Sequence, residues 1–80
     1  MTLNEAIIKR IYEICDDRGI TLNKLSTICG ITQSTLNNIV SRQSLKPTVS
    51  TIKKICDGVE IKLADFFDTD YFKTLEQEIK

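Results

Sequence analysis

Histidine and tryptophan are absent from this 80-residue chain, proline occurs once and glycine three times. Without histidine no Ser–His or Cys–His pair can be assembled, so the common routes to an activated nucleophile are closed. Gly19, Gly30 and Gly58 stand alone, and neither GxxxxGK(S/T) nor GxGxxG occurs, so no glycine-rich loop is available to cradle phosphates. No enzymatic activity and no cofactor are expected. The cysteines Cys15, Cys29 and Cys56 are odd in number and form no CxxC. With no histidine to complete a ligand set, no metal site is expected. Cys29 and Cys56 fall where small apolar residues would pack, as inert thiols, with Cys15 partly exposed.

Long apolar runs are missing as well. None approaches the roughly 20 residues that span a bilayer, so no membrane partner is expected. The first residues, MTLNEAIIKRIYEICDD, have no basic start, no uninterrupted apolar stretch and no small-residue cleavage site. That argues against a signal peptide and for a cytoplasmic protein. The remainder is ordinary for a soluble domain, at 41% apolar and 28% charged residues. A chain this short makes one domain with a thin core, which an oligomeric partner would reinforce.

Acidic side chains are missing from one long segment. From Arg18 to Lys54 there are six basic residues and no Asp or Glu, although the whole chain is formally neutral. Residues 1–56 hold eight basic groups against four acidic, and residues 57–80 hold three against seven. A polyanion would be drawn to the first part and repelled by the second.

Apolar spacing outlines the elements. Leu3, Ile7, Ile11 and Ile14 recur at intervals of four, four and three, which predicts a helix over about residues 3–18 closed by Gly19. Thr21 is placed to cap a second helix with Leu25 and Ile28 inward, and Gly30 supplies the positive φ of a tight turn. Ile31 plugs the core. Thr32 caps a third helix, running to about residue 40, with Leu36, Ile39 and Val40 inward. After a loop closed by Pro47, Thr48 caps a fourth helix with Val49, Ile52, Ile55 and Cys56 inward and Gly58 at its end. Val59, Ile61, Leu63, Phe66 and Phe67 form a last apolar cluster, with a short helix over residues 63–67. A sixth helix, about residues 70–79, carries Tyr71, Phe72, Leu75 and Ile79 as a stripe suited either to packing back on the domain or to a dimer interface.

The stretch GITLNKLSTICGITQSTLNNIV, residues 19–40, thus reads as two short helices across a glycine turn, a helix-turn-helix. Its second helix turns Gln33, Ser34, Asn37 and Asn38 outward. An ordinary exposed face carries Glu and Lys, which form helices well, whereas Asn, Ser and Thr form them poorly. Asn and Gln hold a donor and an acceptor in one plane and can grip adenine N6 and N7 together, so these four residues are the predicted base contacts. Asn23 and Lys24 near the start of the second helix, Thr35 in the third, and Ser41, Arg42, Gln43 and Lys46 after it are placed to contact the DNA backbone, which positions without reading sequence.

Residues from about 10 to 67 resemble the phage-repressor family of Cro-like and repressor-like helix-turn-helix regulators. The resemblance is carried by Ile11 and Ile14, Gly19-Ile20-Thr21, Leu25, Gly30-Ile31-Thr32-Gln33-Ser34-Thr35-Leu36, Ile39, Pro47-Thr48, Thr51-Ile52, Ile55, Gly58, Ile61 and Phe66-Phe67. It implies an all-α fold: a compact five-helix repressor-type domain over residues 1–68, with an additional short C-terminal helix in the extension 69–80. It also implies base contact by Gln33, Ser34 and Asn38 and phosphate contact by Thr32 and Ser41. Three positions depart from the family pattern. Leu22 stands where Gln is frequent after the capping threonine, Arg42 where Gly often follows the third helix, and Val59-Glu60 where an apolar residue and Gly often follow Gly58.

The expected function is a sequence-specific DNA-binding transcriptional regulator of bacterial or phage type, a repressor, acting on double-stranded DNA as a homodimer. The alternative is an antitoxin-like module of the same fold that binds a protein partner through the acidic C-terminal third and its apolar stripe.

Overall fold

The computed structural model describes residues 1–41 and 46–79. In chain order the described elements are α1 (Leu3–Arg18), α2 (Leu22–Cys29), α3 (Gln33–Ser41), α4 (Val49–Gly58) and α5 (Leu63–Phe67), then a short 3-10 helix over Asp70–Thr74; no strand occurs among them. The expected all-α fold with its short C-terminal helix is present.

Threonines start the helices. Thr21, Thr32 and Thr48 accept the backbone N–H groups of Lys24, Thr35 and Thr51, each at 3.1 Å, ahead of α2, α3 and α4. At α1 the capping is reciprocal: Thr2 Oγ1 accepts the Glu5 N–H at 3.2 Å and Glu5 Oε1 accepts the Thr2 N–H at 2.9 Å. Such caps contribute about 0.5–2 kcal/mol apiece by pairing donors that a helix start leaves open.

One core joins all five helices. Ile7, Ile11 and Ile14 of α1 meet Leu25 of α2, Leu36 and Ile39 of α3, Ile52, Ile55 and Cys56 of α4, and Phe66 of α5. The last helix is locked by Arg10. Its Nε donates to the Phe66 carbonyl at 2.7 Å and its Nη2 to the Asp65 carbonyl at 3.0 Å. A guanidinium placed at the C-terminal carbonyls of α5 satisfies acceptors the helix cannot pair itself and favours its dipole. Arg18 does the same beyond α4, donating to the Val59 carbonyl.

Several expectations need correction. Gly58 is the last residue of α4 rather than a terminator, and its role is close packing: a Cβ there would lie 2.6 Å from Cys29 Sγ and 3.1 Å from Cys29 Cα. The left-handed turn falls two residues later, on Glu60 at φ 61°. There Ile61 donates its N–H to the Cys56 carbonyl at 2.9 Å, the closing bond of a Schellman turn. Val49 is 66% exposed, because the first turn of α4 projects past the core edge, and Leu3 is likewise exposed in the first turn of α1. Ile28 is 40% exposed and leans over the bare Cα of Gly58. Cys15, expected partly exposed, is buried, because it follows Ile14 on the inner face of α1.

The expected helix over residues 70–79 stops at Thr74, and Leu75 turns extended at φ −71°, ψ 153°. Its stripe is dispersed. Phe72 packs edge-on against Phe67, with ring centroids 5.1 Å apart, and joins the core. Tyr71 lies against α1, donating its hydroxyl to Glu13 Oε1 beneath Lys9 Nζ, 4.8 Å from the ring centroid. Leu75 is half-buried, and Ile79 is 87% exposed. Glu76 donates its N–H to the Met1 carbonyl at 3.2 Å, so the extended segment runs beside the start of the chain.

Candidate nucleic-acid interface

The turn between α2 and α3 is built from three local choices. Gly30 takes φ 69°, a region in which a Cβ is penalised, and its N–H bonds the Ser26 carbonyl. Ile31 donates to the same carbonyl at 3.0 Å and lays its side chain on the core. Ser26 is buried, and its Oγ is satisfied by the Asn23 carbonyl at 2.7 Å. Beneath the turn, burial pushes the Cys29 thiol up to about 11, with Cys15 and Cys56 adding to the rise. A thiol held protonated in this way is chemically inert.

Leu36, Ile39 and Val40 face the core and set the rotation of α3. At roughly 100° per residue, Gln33, Ser34, Asn37, Asn38 and Ser41 then fall within one outward arc of about 140°. Gln33, Ser34 and Asn37 are exposed and Asn38 is half-exposed. The structure therefore brings together the four side chains expected to read bases.

The expected backbone contacts divide. Asn23, Lys24 and Lys46 are exposed. Thr32 is the cap, and its hydroxyl also donates to Thr35 Oγ1 at 2.8 Å. That leaves the Thr35 hydroxyl hydrogen as the one directed to a further acceptor. Ser41 Oγ donates back to the Asn37 carbonyl, so its proton is engaged within the helix. Arg42 and Gln43 lie outside the described residues. Leu22, the departure at the start of α2, packs against the core.

Two of the six bases in the acid-free segment are tied into the fold: Arg18 to the Val59 carbonyl, and Lys53 in an ion pair with Asp57 one turn along α4. Lys24, Lys46 and Lys54 are exposed without an ion pair among the described residues. Reading the sequence missed the anchoring of Arg10 and Arg18, whose partners lie 41 to 56 residues away. It also missed the Thr2–Glu5 capping box, which the spacing T-x-x-E does signal. Among the described residues no cluster of three or more His, Cys, Asp or Glu side chains could hold a metal, and no helix is long and apolar enough to cross a membrane.

Comparison with known proteins agrees with this geometry. The model of the Cro/C1-type HTH DNA-binding domain matches residues 10–70. The crystal structure of the prophage Lp1 protein 11 superposes with a TM-score of 0.81 at 31% identity, covering 94% of this chain and 99% of that one. The HTH_3 family transcriptional regulator from Vibrio cholerae superposes with a TM-score of 0.74 at 27% identity, over 84% of this chain. The match takes in only 37% of that regulator's length. No curated protein matches. With three fifths of its length or more matched by the family model and its α2–turn–α3 unit in place, the chain belongs to the Cro/C1-type helix-turn-helix DNA-binding domains.

Proposed function

We propose that this protein is a sequence-specific transcriptional repressor that occupies an operator as a two-fold dimer, with α3 of each protomer in the major groove. The observation that carries this reading is the outward arc of α3. Gln33, Ser34, Asn37 and Asn38 carry no side-chain hydrogen bond within the described residues, so their donors and acceptors face outward. The open N–H groups of Gln33 and Ser34, at the positive end of α3, supply phosphate donors beside them. The rim is basic, with Lys24 and Lys46 exposed. In a dimer the two reading helices would sit about 34 Å apart, one turn of DNA.

Selection of duplexes from a random pool at moderate salt tests it. The expected product is a pseudo-palindrome with half-sites about ten base pairs apart. A pool that enriches nothing rejects groove reading. A promoter carrying the selected site is expected to be silenced when the chain is expressed, and activation would reject the repressor role.

A second reading, a protein-binding module of the same fold, draws on the C-terminal segment, where Ile79 is 87% exposed. Tyr71 and Phe72 are engaged within the domain, so any partner or second protomer docking here meets Leu75 and Ile79. Ile79→Asp leaves the core untouched and would abolish co-purification of such a partner; unchanged co-purification would sink this reading.

A further inference from the structure

We propose that the operator half-site beneath α3 is made of A·T base pairs, gripped at adenine N6 and N7 by the amides of Gln33, Asn37 and Asn38, and that α3 itself makes no guanine contact. The inference rests on the groove-reading function above and names the bases that are read.

Charge chemistry is the first support. Residues 25–41, which span the end of α2, the turn and all of α3, contain no charged side chain. The major-groove edge of guanine presents two acceptors, O6 and N7, whose usual match is a pair of donors from Arg or Lys. Nothing on α3 supplies that pair. A carboxamide placed on guanine would leave its own carbonyl facing two acceptors. Adenine presents one acceptor and one donor side by side, which a carboxamide matches in a single plane.

Availability is the second support. The hydroxyls of Thr32 and Ser41 donate within the domain, to Thr35 Oγ1 and the Asn37 carbonyl. The amides of Gln33, Asn37 and Asn38 carry no such bond among the described residues and hold most of the recognition capacity of the outward arc.

Spacing is the third. Gln33 and Asn37 are four residues apart on one helix row, roughly 6 Å along the axis. That approaches two base-pair steps of about 3.4 Å. With α3 lying along the groove, the two amides reach adenines separated by one intervening pair, and Asn38 reaches the neighbouring position on the adjoining row.

The test repeats the duplex selection with the wild-type chain and with Gln33→Ala, Asn37→Ala and Asn38→Ala. All three positions are on the outward arc and alanine is the better helix former, so the variants fold. The positions whose base preference relaxes in a variant are expected to be A·T in the wild-type site. Replacing those adenines by 7-deazaadenine, which lacks the N7 acceptor, is expected to weaken wild-type binding at least about fivefold. The same replacement should leave the matching alanine variant unaffected. Relaxed positions that are G·C, no relaxation in any variant, or a 7-deazaadenine duplex bound as tightly as its parent would overturn the proposal while leaving groove reading intact. A wild-type pool with no enrichment would instead reject groove reading, and the proposal with it.

Discussion

At position 58 a hydrogen in place of a methyl group sets how closely α2 and α4 approach. Alanine is the better helix former, by about 1 kcal/mol over glycine, and on propensity alone would stabilise α4. Packing opposes this, because the new Cβ would lie 2.6 Å from Cys29 Sγ and 3.1 Å from the Cys29 backbone. Backbone cannot rotate away, so packing wins, and Gly58→Ala is expected to lower stability by about 1–3 kcal/mol in urea unfolding. Two residues on, Glu60 holds φ 61° without glycine's freedom. Glu60→Gly relieves that strain and is expected to add about 0.5–1 kcal/mol in the same assay. The sequence marks this second site openly, since an expected glycine is replaced. It conceals the first, because the reason for Gly58 lies on another helix. Cys29 adds a pH dependence. Its thiol is raised from 9.0 to about 11 by burial, so the folded state holds that proton more tightly than the unfolded chain does. The resulting stability is complete below pH 9 and is lost as pH rises through 11. The urea midpoint should fall across that window, and Cys29→Ala should flatten the fall; a midpoint with the same slope in both proteins would contradict it.

Elements held by local chemistry were legible, and elements held from a distance were not. The caps at Thr21, Thr32 and Thr48, the turn at Gly30 and the inward face of α3 follow from residues within one turn of each other. The segment after Phe67 obeys other constraints. Its apolar spacing suits a helix, yet a ten-residue helix is marginal alone. Phe72 gains more by stacking on Phe67, Tyr71 by reaching Glu13, and the Glu76 N–H by pairing with Met1. α5 likewise spans only five residues and depends on Arg10, whose guanidinium donates to two of its carbonyls while Nη1 lies 3.7 Å from Glu13. Arg10→Ala is expected to cost about 2–4 kcal/mol, because charge-assisted hydrogen bonds are lost and half-buried carbonyls are left open. Arg10→Lys should restore less than half of it, since an ammonium cannot reproduce the two-pronged donor geometry. Full rescue by lysine, read in thermal or urea unfolding, would mean that charge alone holds α5.

Across the whole molecule, charge and recognition are placed apart. The outward arc of α3 is uncharged, the exposed bases Lys24 and Lys46 flank it, and seven of the eleven acids lie in residues 57–80. Arg18 and Lys53, which a count over the acid-free segment would credit to DNA binding, are engaged within the fold. Few cations are therefore left to displace counterions from the duplex. Taking Lys24, Lys46 and Arg42 as the phosphate set gives a slope of log affinity against log salt of roughly −5 for two protomers. That slope is shallow, and the sequence-independent share of binding should be correspondingly small. Removing Lys46 by Lys46→Ala should weaken binding to specific and random duplexes alike and flatten the slope by about 1 per protomer. Asn38→Ala should weaken only the specific complex and leave the slope unchanged, because no counterion leaves with an amide. A slope implying more than about eight neutralised phosphates per protomer would show that the acid-free segment binds as a general basic surface, with base reading a minor part.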